Sequence, residues 1–240
     1  MPSITTLIIT LFLAHILADY YLQPRAWIIG KESLKLKSKY LYFHILVVML
    51  LSILSCIIVN IEFWYLGVII GVSHGVTDSW KVSARQNVTN YLIDQAIHLL
   101  LIITIPILLV KHTETSYLDT VFEKVNYKFI LAGIAVLTIS KPVSITIERI
   151  LIASDKKNVE RYTNNAGKKI GLLERFLIIL FIFFQMPLGI GFLITAKSIF
   201  RFNAINKDEK EEGEYILLGT LLSFTFAITI GLLINAIENS

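Results

Sequence analysis

Four of the five histidines in this chain sit inside long apolar runs, and three of them have an aspartate one helical turn away. His15 and Asp19, His74 and Asp78, and Asp94 and His98 are each four residues apart, and His44 stands in a fourth run. Gln23 continues the first series and Gln95 adjoins Asp94. On a helix, steps of four put side chains on one face, about 6 Å apart along the axis. Imidazole nitrogen with carboxylate oxygen suits zinc, manganese, iron or cobalt better than calcium. Four histidines and three aspartates exceed what one tetrahedral site needs, which leaves room for two metals or for carboxylates that orient the imidazoles. The expected ligands are His15, His44, His74, His98, Asp19, Asp78 and Asp94, with the three aspartates also the expected catalytic bases. The expected cofactor is a divalent metal, zinc or manganese. The spacing is not HExxH, so no named zinc motif applies. Two other readings stand beside the metal site: hydrogen-bonded glue between helices, and a proton or ion path.

The elements that position these residues follow from composition. The chain has 240 residues, 55% hydrophobic and 17% charged, against about 25% charged in a soluble domain. That places it among polytopic membrane proteins. Runs of about 20 apolar residues predict an all-α transmembrane helix bundle of about eight spans, near 4–24, 40–60, 62–81, 90–111, 128–150, 169–186, 187–203 and 214–237. Pro187-Leu-Gly189 is expected to turn the chain between the sixth and seventh, and Pro106 and Pro142 to bend the helices that hold them. Basic residues collect in alternate connections: Arg25, Lys31, Lys35, Lys37 and Lys39 in the first, Lys81 and Arg85 in the third, Arg149 through Lys169 in the fifth, and Lys197 through Lys210 in the seventh. The positive-inside rule then puts both termini outside and the odd connections in the cytosol of a plasma-membrane protein. The net charge of +4 is accounted for by these loops, so no nucleic-acid partner is expected. The N-terminal run lacks a basic leader and a cleavage site and reads as the first span. The lone Cys56 has no intrachain partner and reads as filler. The sequon at Asn87 falls in a cytosolic loop. Two four-helix modules, 1–112 and 113–240, are the expected domains.

With this topology every His and Asp of the first four spans lies within about 15 Å of the cytosolic edge, at 1.5 Å of rise per residue. Ionisable residues in a membrane are costly and usually face the bundle interior in pairs. The second four spans repeat that depth with Lys141, Glu148, Glu174, Arg175, Lys197, Arg201 and Glu214. Lys197 and Arg201 are candidates to hold an anionic group, unless Glu174 and Glu214 neutralise them. The loop DKKNVERYTNNAGKK and the run KDEKEEGE read as ordinary solvated segments.

The stretches AHILADYYLQP, FHILV, SHGVTDSWK and LIDQAIHLL resemble the amino-terminal half of an uncharacterised prokaryotic multi-pass membrane family, a domain of unknown function. GLLERFLIIL, IGFLITAKSIFRF and EYILLGTLLSF are similar to carboxy-terminal segments of its longer members. The resemblance touches most spans and implies a membrane protein without implying an activity. A weaker likeness, through the H-x-x-x-D step of His74 and Asp78, is to membrane-bound metal-dependent hydrolases, whose His-Arg-Gly and Thr-His pairing is missing here.

Three function classes follow. The leading expectation is a metal-assisted hydrolase with its site in the cytosolic leaflet, acting on a lipid-linked or membrane-proximal substrate that enters from the bilayer. An ion-coupled transporter would need polar groups through both leaflets. The outer halves VVMLLSILSCIIV, LLLIITIPILLV, FLIILFIFF and FAITIGLLI hold almost no ionisable residue, which favours a pocket over a path. A noncatalytic membrane partner would instead bind through the basic loops. The oligomeric state is left open.

Overall fold

In hydrocarbon, each backbone donor and acceptor must be satisfied within the protein, so apolar runs of this length become helices. The computed structural model describes residues 2–110, 127–154, 165–202 and 210–238, and the regular elements among them are all helical. They are α1 (Pro2–Ile16), continued by a π turn (Leu17–Tyr21), α2 (Arg25–Leu34), a 3-10 turn (Lys35–Lys37), α3 (Lys39–Val59), a second 3-10 turn (Ile61–Phe63), α4 (Trp64–Ser83), α5 (Val88–Leu109), α6 (Tyr127–Ser154), α7 (Asn165–Phe183), α8 (Pro187–Phe202) and α9 (Lys210–Glu238). Among the described residues, five stretches are long and apolar enough to cross a membrane: Ile4–Tyr21, Lys39–Val59, Val88–Leu109, Phe129–Ser154 and Leu217–Ile237. The chain is therefore built as a membrane protein. Three further expected segments form α4, α7 and α8. In α4, Gly67, Gly71, Gly75, His74, Asp78 and Lys81 lower the hydropathy; α7 opens on charged residues, and α8 has 16 residues.

The chain divides into two units, Met1–Asn126 and Tyr127–Ser240. The expected module boundary at 112/113 and the fourth connection fall in residues 111–126, outside the described ones, as do 155–164 of the fifth connection and 203–209 of the seventh.

Unit 1 departs from the expected outline in three places. Its first helix ends at Tyr21, so Gln23 leaves the His15/Asp19 stripe. The cause is Pro24, which biases the residue before it toward extended backbone. The last turn is a π turn, with Leu22 N–H donating to Leu17 O at 2.8 Å, and Asp19 lies within it. Such turns often occur at functional sites. The first connection also contains α2, with Trp27 stacked on Tyr40 (6.3 Å between ring centroids).

The third departure is the closeness of α3 and α4. Gly67, Gly71 and Gly75 recur every four residues on α4. A Cβ at Gly67 would lie 2.4 Å from both the Cα and the N of Ile53, and one at Gly71 would lie 2.6 Å from Met49 Cβ. No larger residue fits while the two backbones stay this close, which is how small residues pack membrane helices. At the other end of the unit, Leu7, Leu11, Cys56, Phe63, Leu66 and Ile102 belong to one apolar core. Leu46, Leu50 and Leu54 of α3 and Leu100, Ile103 and Ile107 of α5 point outward, as lipid-facing residues do. Asn87 caps α5, its Oδ1 accepting from Asn90 N–H at 2.7 Å, so the sequon asparagine serves as an N-cap.

In unit 2, Ala135, Ile139 and Ile179 form one apolar core and Ile178, Phe224 and Ala227 another. The turn between α7 and α8 is made by residues 184–186, with Gln185 at φ 55°. Pro187 is the first residue of α8 rather than part of the turn. Its locked φ and missing N–H suit that position.

Candidate metal centre

The centre is assembled from four helices of unit 1. The π turn presents Asp19 and α1 presents His15; α3 presents His44, α4 His74 and Asp78, and α5 Asp94 and His98. All of these except Asp19 are buried, and the Asp19 side chain is 9% exposed. The structure therefore brings together all seven residues expected as ligands.

At the middle is a triangle. Asp19 Oδ1 lies 3.3 Å from His44 Nε2 and 3.4 Å from His74 Nε2, and the two Nε2 atoms are 3.3 Å apart. Tetrahedral zinc with bonds of about 2.0–2.1 Å holds its ligand atoms about 3.3–3.4 Å apart. Three ligand atoms from three helices thus share the edge length of one coordination tetrahedron. Asp78 Oδ2 is next, 3.6 Å from His44 Nε2. His15 Nδ1 is 3.8 Å from Asp19 Oδ1.

A second layer lies beside the triangle. The His98 ring stacks on His74 with centroids 3.9 Å apart and planes 15° from parallel, and His15 lies 5.2 Å from His98. A narrow cavity touches His15, His74 and His98 together with Ser52, Ser73 and Ile70. Ligand atoms of His15, His74 and His98 lie within 4.8 Å of one another, as do those of Asp78, Asp94 and His98.

Hydrogen bonding separates ligand groups from structural ones. His15 Nδ1, Asp19 Oδ1, His44 Nδ1, Asp94 Oδ1 and both ring nitrogens of His98 are buried without a hydrogen-bond partner. Such an accumulation is costly, because each unpaired buried polar group carries about 1–3 kcal/mol. Native proteins leave few such groups unpaired. A divalent cation satisfies several of them at once, so the donor set fits a metal.

The outer carboxylate oxygens are occupied. Lys31 Nζ donates to Asp78 Oδ2 at 2.9 Å, and Lys81 Nζ donates to Asp94 Oδ2. Gln95 Nε2 also donates to Asp94 Oδ2, at 2.9 Å, while its Oε1 accepts from Tyr20 Oη at 2.8 Å. Asp94 thus gives Oδ2 to Lys81 and turns Oδ1 toward His98, 3.8 Å from its Nδ1, whereas Asp78 meets the histidines with both oxygens, the Lys31-bound Oδ2 at 3.6 Å from His44 Nε2 and Oδ1 at 3.9 Å from His74 Nε2. Outer-shell contacts of this kind orient metal ligands.

Lys31, Lys81 and Tyr20 are the functional residues that sequence reasoning missed. Lys31 counts there only as a loop charge. A signal existed: Trp27 and Lys31 are four apart in RAWIIGKESL, the spacing of one helix face, and a lysine aligned with a half-buried aromatic is placed to point inward.

Lys197 belongs to unit 2, where it donates to Glu174 Oε2 at 2.5 Å and lies over the Phe224 ring. The side chains of Arg201 and Glu214 lie outside the described residues. Arg175 is buried and donates to Ile139 O at 2.9 Å, Ser223 Oγ at 3.0 Å and Ser144 Oγ at 2.5 Å. It ties α7 to α6 and α9.

No curated protein and no solved structure matches the chain. One family model does, over residues 7–127, which is just over half of the chain and includes every residue of the centre, while the carboxy-terminal segments lie beyond the match. On that match the chain belongs to an uncharacterised family, described as "Protein of unknown function (DUF3307)".

Proposed function

We propose that the protein is a divalent-metal-dependent hydrolase of the plasma membrane, with its site in the cytosolic leaflet and a lipid-linked or membrane-proximal substrate. The observation that carries the reading is the triangle of Asp19 Oδ1, His44 Nε2 and His74 Nε2, with edges of 3.3, 3.4 and 3.3 Å. Three protein ligands leave the fourth tetrahedral position to water or substrate, the pattern of catalytic rather than structural zinc. The metal would lower the pKa of its water and polarise the oxygen under attack. Asp78, beside the triangle and held by Lys31, is placed to take the proton of that water and pass it on, so that its carboxylate is again anionic beside the hydroxide.

The same reading includes eight spans with both termini outside. The positive-inside pattern supports it, since Lys31 and Lys81 reach the centre from connections assigned to the cytosol. The apolar core around Leu7, Cys56 and Phe63 weighs against a transport path, because it holds no Asp, Glu, His, Lys or Arg to carry an ion across the other leaflet.

Elemental analysis of detergent-purified protein tests the proposal. Wild type is expected to hold about one zinc or manganese per chain, and His44→Ala or His74→Ala less than a tenth of that. Wild-type protein that stays monodisperse yet binds neither metal after reconstitution would rule the function out. Reporter fusions test the topology, with a cytosolic signal expected after Lys35 and none after Glu62.

A further inference from the structure

We infer that the centre takes up a second divalent cation, held by His98, Asp94 and Asp78, and that this cation enters together with a phosphate monoester. The inference rests on the proposed first site and extends it to a substrate class. His98 carries it. The residue is 2% exposed, and neither of its ring nitrogens has a hydrogen-bond partner. A neutral imidazole always carries one donor and one acceptor, so both functions of this ring lack a hydrogen-bond partner. Asp94 is 0% exposed and its Oδ1 also lacks a partner. Ligand atoms of Asp78, Asp94 and His98 converge within 4.8 Å. As glue these groups are poorly used, because His98 Nδ1 and Asp94 Oδ1 are 3.8 Å apart, beyond hydrogen-bond distance.

Asp78 joins the two sites. Its Oδ2 lies 3.6 Å from His44 Nε2 in the first triangle, and its carboxylate also belongs to the second group. A carboxylate shared in this way suits two cations about 3.5–4 Å apart.

Charge then selects the ligand. Asp19, Asp78 and Asp94 bring three negative charges, and Lys31 and Lys81 return two positive ones. With neutral imidazoles, as metal ligation requires, the pocket has one net negative charge. One dication and one hydroxide bring it to zero, so the first site is balanced by itself. A second dication in a buried pocket is unbalanced by two positive charges. A phosphate monoester dianion supplies the missing two negative charges, whereas a carboxylic ester or an amide supplies none. In the reaction, hydroxide oxygen forms a new bond to phosphorus and the ester P–O bond breaks. The electron pair leaves with the alcohol oxygen, which takes up the proton lost when water became hydroxide.

The test counts manganese(II) per chain by elemental analysis after gel filtration of the full-length protein in detergent. The expected result is one manganese without phosphate and two with either inorganic phosphate or micelles containing phosphatidic acid. The doubly loaded form should also give the electron paramagnetic resonance spectrum of an exchange-coupled pair. Uptake with inorganic phosphate assigns a soluble ester as sufficient, and uptake with phosphatidic acid alone assigns a lipid source. His98→Gln and Asp94→Asn should keep the first manganese, which shows that they fold, and lose the phosphate-dependent second one. A count of one under every condition, or two in the variants, overturns the inference while leaving the first site standing. Loss of both ions in both variants overturns it as well, because the sites are then not separable. A count of zero in wild type refutes the proposed function itself.

Discussion

The two units bury charged groups in opposite ways. In unit 2, Arg175 meets Ile139 O, Ser223 and Ser144, and Glu174 meets Lys197. In unit 1, Oδ2 of Asp78 and of Asp94 is tied to a lysine while His15 Nδ1, Asp19 Oδ1, Asp94 Oδ1 and both ring nitrogens of His98 are buried without a hydrogen bond. A buried polar group costs free energy unless it is paired. Complete pairing fits a structural role, and the groups left without a hydrogen bond in unit 1 are those the proposed metal would satisfy. The difference lies in where pairing stops: unit 1 finishes its outer shell and leaves its inner shell open.

The comparison breaks most sharply at the glycines. Gly67→Ala would force a Cβ against the Ile53 backbone, which cannot give way as a side chain would. It is expected to cost about 3 kcal/mol, the upper range for overpacking, and to lower metal content by separating His44 from His74. Gly133→Ala in α6, where nothing lies within 4 Å of the new Cβ, should be neutral or stabilise by up to about 1 kcal/mol. Denaturant titration in micelles, with metal content measured in parallel, checks both. Equal effects at the two glycines would mean that close approach of α3 and α4 does not set the site.

Arg175→Ala is expected to cost about 2 kcal/mol, since membrane hydrogen bonds average about 0.6 kcal/mol each and reach about 1.7. It should leave metal content per folded chain at the wild-type value. Loss of metal in this variant, measured on the monodisperse fraction, would erase the distinction between the units. The smallest effect belongs to Lys168→Ala. That residue's ion pair with Glu148 is 41% and 29% exposed, and such pairs contribute about 0–1 kcal/mol. A thermal midpoint indistinguishable from wild type is expected; a large drop would show unit 2 to depend on surface pairing.

Much of the centre was legible because helical spacing is short-range information. His74 and Asp78 share a face of any helix that contains them, and so do Asp94 and His98. The outline of the apolar helices followed from run length for the same reason. Gln23 was misread because Pro24 acts on its predecessor's backbone and ends the stripe. Lys31 was misread because a basic residue near a span has two uses, a topology signal or an ion-pair partner, and only the α2 backbone decides between them.

By itself the sequence determined an all-helical membrane chain whose first half carries His and Asp on one-sided stripes, since periodicity and hydropathy are local properties of a chain. Only the tertiary structure decided that two of those stripes and the lone His44 meet in a triangle with edges of 3.3 to 3.4 Å, and that lysines hold one oxygen each of two aspartates. Those facts depend on the rotation and separation of helices far apart in sequence. That separation is set by what each interface can exclude, here the missing side chains of Gly67 and Gly71 against α3.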